Sequence, residues 1–297
     1  MNVHHLELFH YVARHGGISR AVRHIPYGIQ QPAVSGQLRQ LEADLGTRLF
    51  ERSPFRLTAA GKKLAAFIEP FFGRLDAVAE EIRAGETPVL RLGAAEVALR
   101  DHVPEIAERL RAHLPGLRLN LCGGLQADLM HRLESGRVDL VVAAAGPRAP
   151  AGVRCRRLLR VPLVLLVPAR GPRRPPEAWW ADTPGRRPLI SLPASETVTR
   201  LFQRELRARG VRWPVSIEAD SLLMIAPYVA RGQGVGVSLD FPGYVRQPGV
   251  RVLPLPGFPL VEVAAWWRDE PPPVVRAFLA EAVKRVRELW PQLAVAE

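Results

Sequence analysis

Between Pro26 and Gly46 the chain sets a tight Pro-Tyr-Gly turn ahead of the helical pattern QPAVSGQLRQLEADL, and a glycine closes it. Val34, Leu38, Leu41 and Leu45 recur at alternating four- and three-residue steps, so they form one buried stripe of a helix running from Gln31 to Leu45. Small and polar residues, Gln31, Ala33 and Ser35 among them, are left for the outer face. A compact helix, a tight turn and a second helix with such an outer face is the geometry that carries side chains into a DNA major groove.

The flanking segments complete a small unit around that helix. Leu6, Phe9, Val12 and Ala13 predict a first helix over residues 3–15, stopped at Gly16-Gly17. Ser19 stands where it would cap a short second helix that buries Ala21, Val22 and Ile25. Leu49-Phe50 and Arg56-Leu57 read as two short strands around Ser53-Pro54-Phe55, a wing. From Thr58 to Ala84 a longer helical pattern carries Leu64, Phe67, Ile68, Phe71, Leu75, Val78 and Ile82, with a kink expected at Pro70 and Gly73. A long helix without a core of its own needs a partner, and a second copy of itself is the simplest one.

After the linker Gly85-Glu86-Thr87-Pro88 the pattern becomes alternating strands and helices. Such alternation predicts open, mostly parallel sheets, arranged in two lobes with a cleft between them. The first strand, Val89 to Gly93, is followed by the loop AAEVALRDH, and the chain ends in a helix from Pro273 to about Leu289.

Charge supports a polyanionic partner only weakly. The formal net charge is +12, but the excess is almost wholly arginine and is spread along the chain. Cys122 and Cys155 lie in no metal-binding or redox spacing and read as reduced, core or near-core residues. No HExxH, His/Cys cluster, GxSxG elbow or recognisable acid/base constellation occurs, so neither a metal, a cofactor nor catalysis is expected. Gly232-x-Gly234-x-Gly236 falls between a helix and a strand, the reverse of the dinucleotide-binding order, and reads as a helix end and turn. Trp266-Trp267 is expected on a lobe surface or a subunit contact. The N-terminus has no signal-peptide pattern. The longest apolar run, Leu158 to Val167, is broken by Arg160 and Pro162, so a cytoplasmic protein without membrane contact is expected.

Read together, Leu6-x-x-Phe9, Gly17-Ile18-Ser19-x-Ala21, Gln31-Pro32-Ala33-Val34-Ser35, Leu41-Glu42, Leu45-Gly46, Leu49-Phe50-x-Arg52 and Leu57-Thr58-x-x-Gly61 resemble the signature of the LysR-type transcriptional regulators. The resemblance covers the whole chain and is most specific over residues 1–65. It implies an N-terminal all-α winged helix-turn-helix (residues 1–62), a dimerising linker helix (63–87) and a C-terminal α/β two-lobed periplasmic-binding-protein-like (type 2) domain (88–297). Lobe I would span about 88–161 and 250–297, lobe II about 162–249. The implied partners are double-stranded DNA, a small-molecule effector and a second copy in a homodimer or homotetramer, with RNA polymerase possible. Two departures stand out: the turn Pro26-Tyr27-Gly28-Ile29-Gln30 is longer than the family norm, and the wing between Ser53 and Thr58 is shorter.

The candidate DNA contacts are Ser19, Gln30, Gln31, Pro32, Ala33, Ser35, Gln37, Arg39, Arg52 and Arg56. Glutamine can hydrogen-bond adenine in bidentate fashion, alanine or the proline ring can pack on a thymine methyl, and the arginines suit phosphates better than bases. For Gln31 and Ser35, helix capping or plain solvation is the competing reading. The candidate effector contacts are Ala95, Glu96, Val97 and Arg100 in lobe I, and Ser195, Thr197 and Thr199 at a helix start in lobe II. The first-lobe loop carries an acid where family members often have a hydroxyl, which puts the usual small-carboxylate ligand in doubt. Glu96 either binds a cationic or hydroxyl-bearing ligand or pairs with Arg100. Two other functions compete: a metabolite enzyme with a regulatory helical domain, and an effector-independent DNA-binding regulator.

Overall fold

A computed structural model describes residues 2–52, 54–85, 87–146, 152–170, 173–181, 187–241 and 247–295, excepting the side chains of 52, 76–77, 80–81 and 83–84. The chain divides into two compact units, Met1–Arg83 with Ser135–Arg137, and Ala84–Glu134 with Val138–Glu297.

The first unit opens with α1 (Val3–His15), capped by the Asn2 side chain and closed by Gly16 in the left-handed conformation. The second helix, α2 (Ile18–Ala21), takes Gly17 as its cap, so Ser19 lies inside it and does not cap it as expected. The chain then turns through His24 to bury Ile25. Next comes α3 (Gln31–Leu45), with Pro32 in the first turn, where its missing N–H is no loss. Val34, Leu38 and Leu41 are buried, but Leu45 is 38% exposed, because the last turn extends past the partners that cover the rest of the stripe.

The wing is β1 (Phe50–Arg52) and β2 (Phe55–Leu57), antiparallel, with Phe50 opposite Leu57. Phe9 stacks on Phe50 and fastens the wing to α1. Helix α4 (Ala59–Ala84) follows. Thr58 Oγ1 accepts from the Gly61 N–H and donates to the Arg48 carbonyl. A Cβ on Gly61 would lie 1.9 Å from the Leu49 carbonyl oxygen, so only glycine lets α4 start this close to the wing. The helix includes Pro70 and Gly73, the positions at which a kink was expected.

The second unit holds two five-stranded sheets. In the first lobe, β3 (Val89–Ala94), β4 (Arg118–Gly123), β5 (Leu140–Ala144), β6 (Val153–Val161) and β12 (Val261–Arg268) lie in the order β4-β3-β5-β12-β6. In the second, β7 (Leu163–Pro168), β8 (Leu189–Ser191), β9 (Val215–Glu218), β10 (Val235–Leu239) and β11 (Val250–Pro254) lie in the order β11-β7-β10-β8-β9. The helices are α5 (Glu96–Asp101), α6 (Val103–His113), α7 (Gln126–Glu134), α8 (Glu177–Ala181), α9 (Thr197–Ala208), α10 (Leu222–Ala230) and α11 (Pro273–Leu289).

The sheets are mixed rather than mostly parallel. Strands joined through helices (β3 with β4 and β5, β8 with β9 and β10) pair parallel, whereas β7, β11 and β12 pair antiparallel to their neighbours. The return to the first lobe comes after Pro254 and not at residue 250: Val250 to Pro254 pair with Pro168 to Val164 in the second sheet. The loop expected after β3 is the helix α5, since Glu-Val-Ala-Leu-Arg is a run compatible with helix. Cys155 is exposed and Cys122 half-buried. Trp266 is buried, because β12 is covered on both faces, Trp266 facing α7 and Trp267 the main core.

Candidate nucleic-acid interface and ligand cleft

At the start of α3 the backbone turns from extended at Gln30 into the helix, and the Gln30 side chain caps nothing. Gln30, Gln31, Pro32 and Ala33 are all exposed. Capping does not claim the Gln31 side chain. Its Oε1 accepts a hydrogen bond from Ser19 Oγ at 3.2 Å, which braces it from α2. This end of a helix carries the positive end of the peptide dipole, so it favours an anionic backbone. Ser35 and Gln37 are half-buried, and the Gln37 side-chain oxygen Oε1 is buried with no hydrogen-bond partner among the described residues. Arg39 on α3 and Arg56 on β2 are exposed; the Arg52 side chain lies outside the described residues. Sequence reasoning passed over exposed Arg20, Arg23, Lys62 and Lys63, on α2, the turn after it and the start of α4. Their basic character was the only signal for them.

The longer turn before α3 is anchored. Tyr27 Oη donates to Glu7 Oε2 at 2.9 Å and lies 3.4 Å from His4 Nδ1, both on α1. Burial, and then the bond to Glu7, push the phenol pKa up, so Tyr27 holds its proton.

On α4 the packing splits by face. Ile68 is buried, with Leu64 and Phe72 half-buried against the same core. Phe67, Phe71, Leu75, Val78 and Ile82, at steps of four, four, three and four, remain exposed, Phe67 by 81% and Ile82 by 76%. These five side chains form an apolar ridge along one face of this helix.

In the second unit, residues of both lobes line a cavity of about 130 Å³ with mostly apolar walls. Of the expected residues, Ala95, Glu96 and Val97 line it. Arg100 instead forks onto Asp101, at 2.6 and 2.7 Å, in place of the expected pairing with Glu96, and draws the Asp101 carboxyl pKa down. Ser195 is exposed and away from the cavity, its carbonyl taken by Arg200. Thr197 is buried behind the wall; its Oγ1 donates to Gln126 Oε1 at 3.1 Å across the two lobes. Thr199 is buried and bonded to Ser191 Oγ and the Leu192 carbonyl, which makes it a packing residue of lobe II.

The polar groups that do face the cavity include Glu196, Gln126, His102, Asp220 and Ser221. Glu196 sits between the two expected hydroxyl residues, at the cap position of α9, where an acid beside Ser195 was the available signal. Its Oε1 accepts from the Gln126 N–H at 3.1 Å, and burial raises the carboxyl pKa. His102 joins α5 to α6, with its ring edge-on to Trp290 at 4.8 Å. Both its ring nitrogens are buried and have no hydrogen-bond partner among the described residues, and burial, then the nearby Arg285 charge, lower its pKa. Its position between two helices gave it no motif. Among the described residues no group of three His, Cys, Asp or Glu stands where it would hold a metal ion, and no helix is long and apolar enough to cross a membrane.

Residues 3–62 match the family model described as a bacterial regulatory helix-turn-helix protein of the lysR family, and residues 83–287 match the LysR substrate binding domain. Over 270 residues the chain is 27% identical to the HTH-type transcriptional regulator IlvR of Caulobacter vibrioides, covering 85% of this chain and 88% of that one. Over 242 residues it is 26% identical to the transcriptional activator protein LysR of Escherichia coli, covering 80% and 77%. Among solved structures it is similar to full-length CbnR in complex with its target DNA, with TM-score 0.62 at 19% identity over 96% of this chain and 99% of that one. It is also similar to a full-length OxyR variant from Pseudomonas aeruginosa, with TM-score 0.59 at 24% identity over 100% and 98%.

Proposed function

The chain belongs to the LysR family of bacterial helix-turn-helix transcriptional regulators, and from that premise we propose which residues read DNA and which answer the effector. Helix α3 enters the major groove of double-stranded DNA by its N-terminal end. Gln31, held by Ser19, reads a base edge, with Pro32 and Ala33 against thymine methyls and Gln30 and Ser35 alongside. Arg39, Arg52 and Arg56, joined by Arg20, Arg23, Lys62 and Lys63, hold phosphates. Gln37 contributes less than the sequence suggested, since its side-chain oxygen Oε1 is buried.

The ridge on α4 is covered by the same helix of a second copy, giving a homodimer or an assembly of dimers, so that two α3 helices meet two half-sites. On this reading residues 1–62 bind DNA, 63–87 link and dimerise, and the remainder senses a small molecule in the cleft, with Glu96, Ala95 and Val97 in contact with it. The protein works in the cytoplasm, beside RNA polymerase. An enzymatic role is the weaker reading, because among the described residues no hydroxyl or thiol reaches either ring nitrogen of His102 in the cavity.

One observation carries the reading: an exposed, uncapped Gln31 side chain braced at the start of a groove-sized helix. Incubation of the full-length protein with fragmented DNA of its own genome, followed by recovery and sequencing, tests it. Enrichment of a few fragments sharing a two-fold-related motif is expected. Recovery without sequence preference would refute it.

A further inference from the structure

The chain as a whole carries a net charge of +12, yet its cleft is acidic. Among the described residues three carboxylates, Glu96, Glu196 and Asp220, line it against one guanidinium, Arg285, which an ion pair with Glu105 already engages. Glu96 and Glu196 flank the same turn of lobe I. The Glu96 Cγ lies 3.0 Å from where a Cβ on Gly123 would stand, and Glu196 accepts from the Gln126 N–H three residues on. Glu196 is only 6% exposed and makes no ion pair among the described residues; the Arg200 charge opposes the effect of burial on its carboxyl without pairing with it. Arg200 instead spends its donors on the Ser195 carbonyl and Thr197 Oγ1. A buried carboxylate with one backbone donor and no ion pair is costly, and a ligand cation in the cavity removes that cost. The rest of the wall is apolar, with Ile106, Leu158, Leu239, Phe241 and Phe278 among its side chains.

We propose that the cleft takes an amphiphilic cation, its protonated amine seated between Glu96 and Glu196 and its apolar body directed toward Phe241 and Phe278. The proposal rests on the cleft being the effector site. It gives that site a ligand class opposite in charge to a carboxylate. Burial of the apolar body supplies affinity, and the acid pair supplies selection.

The test uses the full-length protein and three probes of similar shape: 2-phenylethylamine, 2-phenylethanol and 3-phenylpropionate, titrated by calorimetry. The amine is expected to bind about tenfold more tightly than either of the others, the scale of a hydrogen bond to a charged group. Glu196→Gln keeps an acceptor for the Gln126 N–H, and Glu96→Gln changes an exposed side chain, so both variants should fold, as tryptophan fluorescence will verify. Each should reduce amine affinity about tenfold and leave the alcohol within about twofold. Equal or stronger binding of the alcohol or the acid, unchanged amine binding in both variants, or no binding of any probe would overturn the proposal. Selective DNA binding measured on the same samples reports separately on the regulatory reading, which survives any of those failures.

Discussion

The two units of this regulator solve recognition in different ways. In the first, the proposed base contacts lie next to one another in the chain, on the opening turn of α3, with one brace from Ser19 to Gln31. In the second, the polar lining of the cleft is gathered from α5, α7, the start of α9 and the end of β9, up to 124 residues apart between Glu96 and Asp220. A groove reader can be built on one rigid helix because DNA presents a repeating surface. A cavity must surround a small molecule, so it draws on every strand end that opens toward it.

The largest expected effect separates the units by stability. Leu38 is 1% exposed in the small first core, and Leu38→Ala should cost that unit ~2–5 kcal/mol. All six tryptophans lie beyond residue 178, so fluorescence reports on the second unit alone. Selective DNA binding should be lost at temperatures where tryptophan emission is still native. Simultaneous loss of both signals would break the comparison.

Within the DNA-facing unit, Gln31→Ala should reduce discrimination between the preferred site and a variant by ~1–3 kcal/mol, while affinity for unrelated DNA changes little. Arg39→Ala should do the reverse, weakening all sequences and lowering the salt slope by about one. Anisotropy titrations over a salt series distinguish the two, and exchanged outcomes would reverse the assigned roles.

For the sensor, the pH response is the sharper probe. Burial holds the His102 pKa below 6.5, so the unfolded chain takes up a proton first as pH falls. The stability of the second unit should therefore be at its full value above about pH 6.5, decline below it, and level off once the folded state also protonates. Chemical denaturation followed by tryptophan emission, for the wild type and His102→Gln, measures this. A wild type whose stability rises on acidification through that range relative to the variant would contradict the burial argument.

The smallest effect concerns the long turn. Tyr27→Phe removes a hydrogen bond to the Glu7 carboxylate on a partly exposed surface and should cost about 1 kcal/mol, read as a small drop in the melting of the first unit. No change would mean that the turn is held by other contacts.

Much of this contrast was legible in the chain itself. Helix α3 came out with both ends correct, because Pro32, the apolar steps and Gly46 are local signals. The apolar ridge on α4 was equally readable, as was one long helix with Pro70 inside it. In the sensor, helices and strands could be placed, but the lobe to which Val250–Pro254 belongs depended on which sheet edge was free for it, a long-range matter. The cleft showed the same limit. Glu96 was found because it follows a strand. Glu196 was passed over for its hydroxyl neighbours, and His102 for want of any motif, although the buried Glu196 carboxyl and the buried ring nitrogens of His102 both belong to residues lining the cavity. Local periodicity reports which face is buried; it says nothing of which buried polar groups go unpaired.

The most direct test of the central claim is selection of duplexes from a random library by the full-length protein, run in parallel with Gln31→Ala. If the start of α3 reads bases from two copies, the wild type will enrich a two-fold-symmetric motif with half-sites one or more helical turns apart, and the variant will lose preference at one position in each half. A wild type that enriches no motif, or a variant that selects an unchanged one, would contradict it.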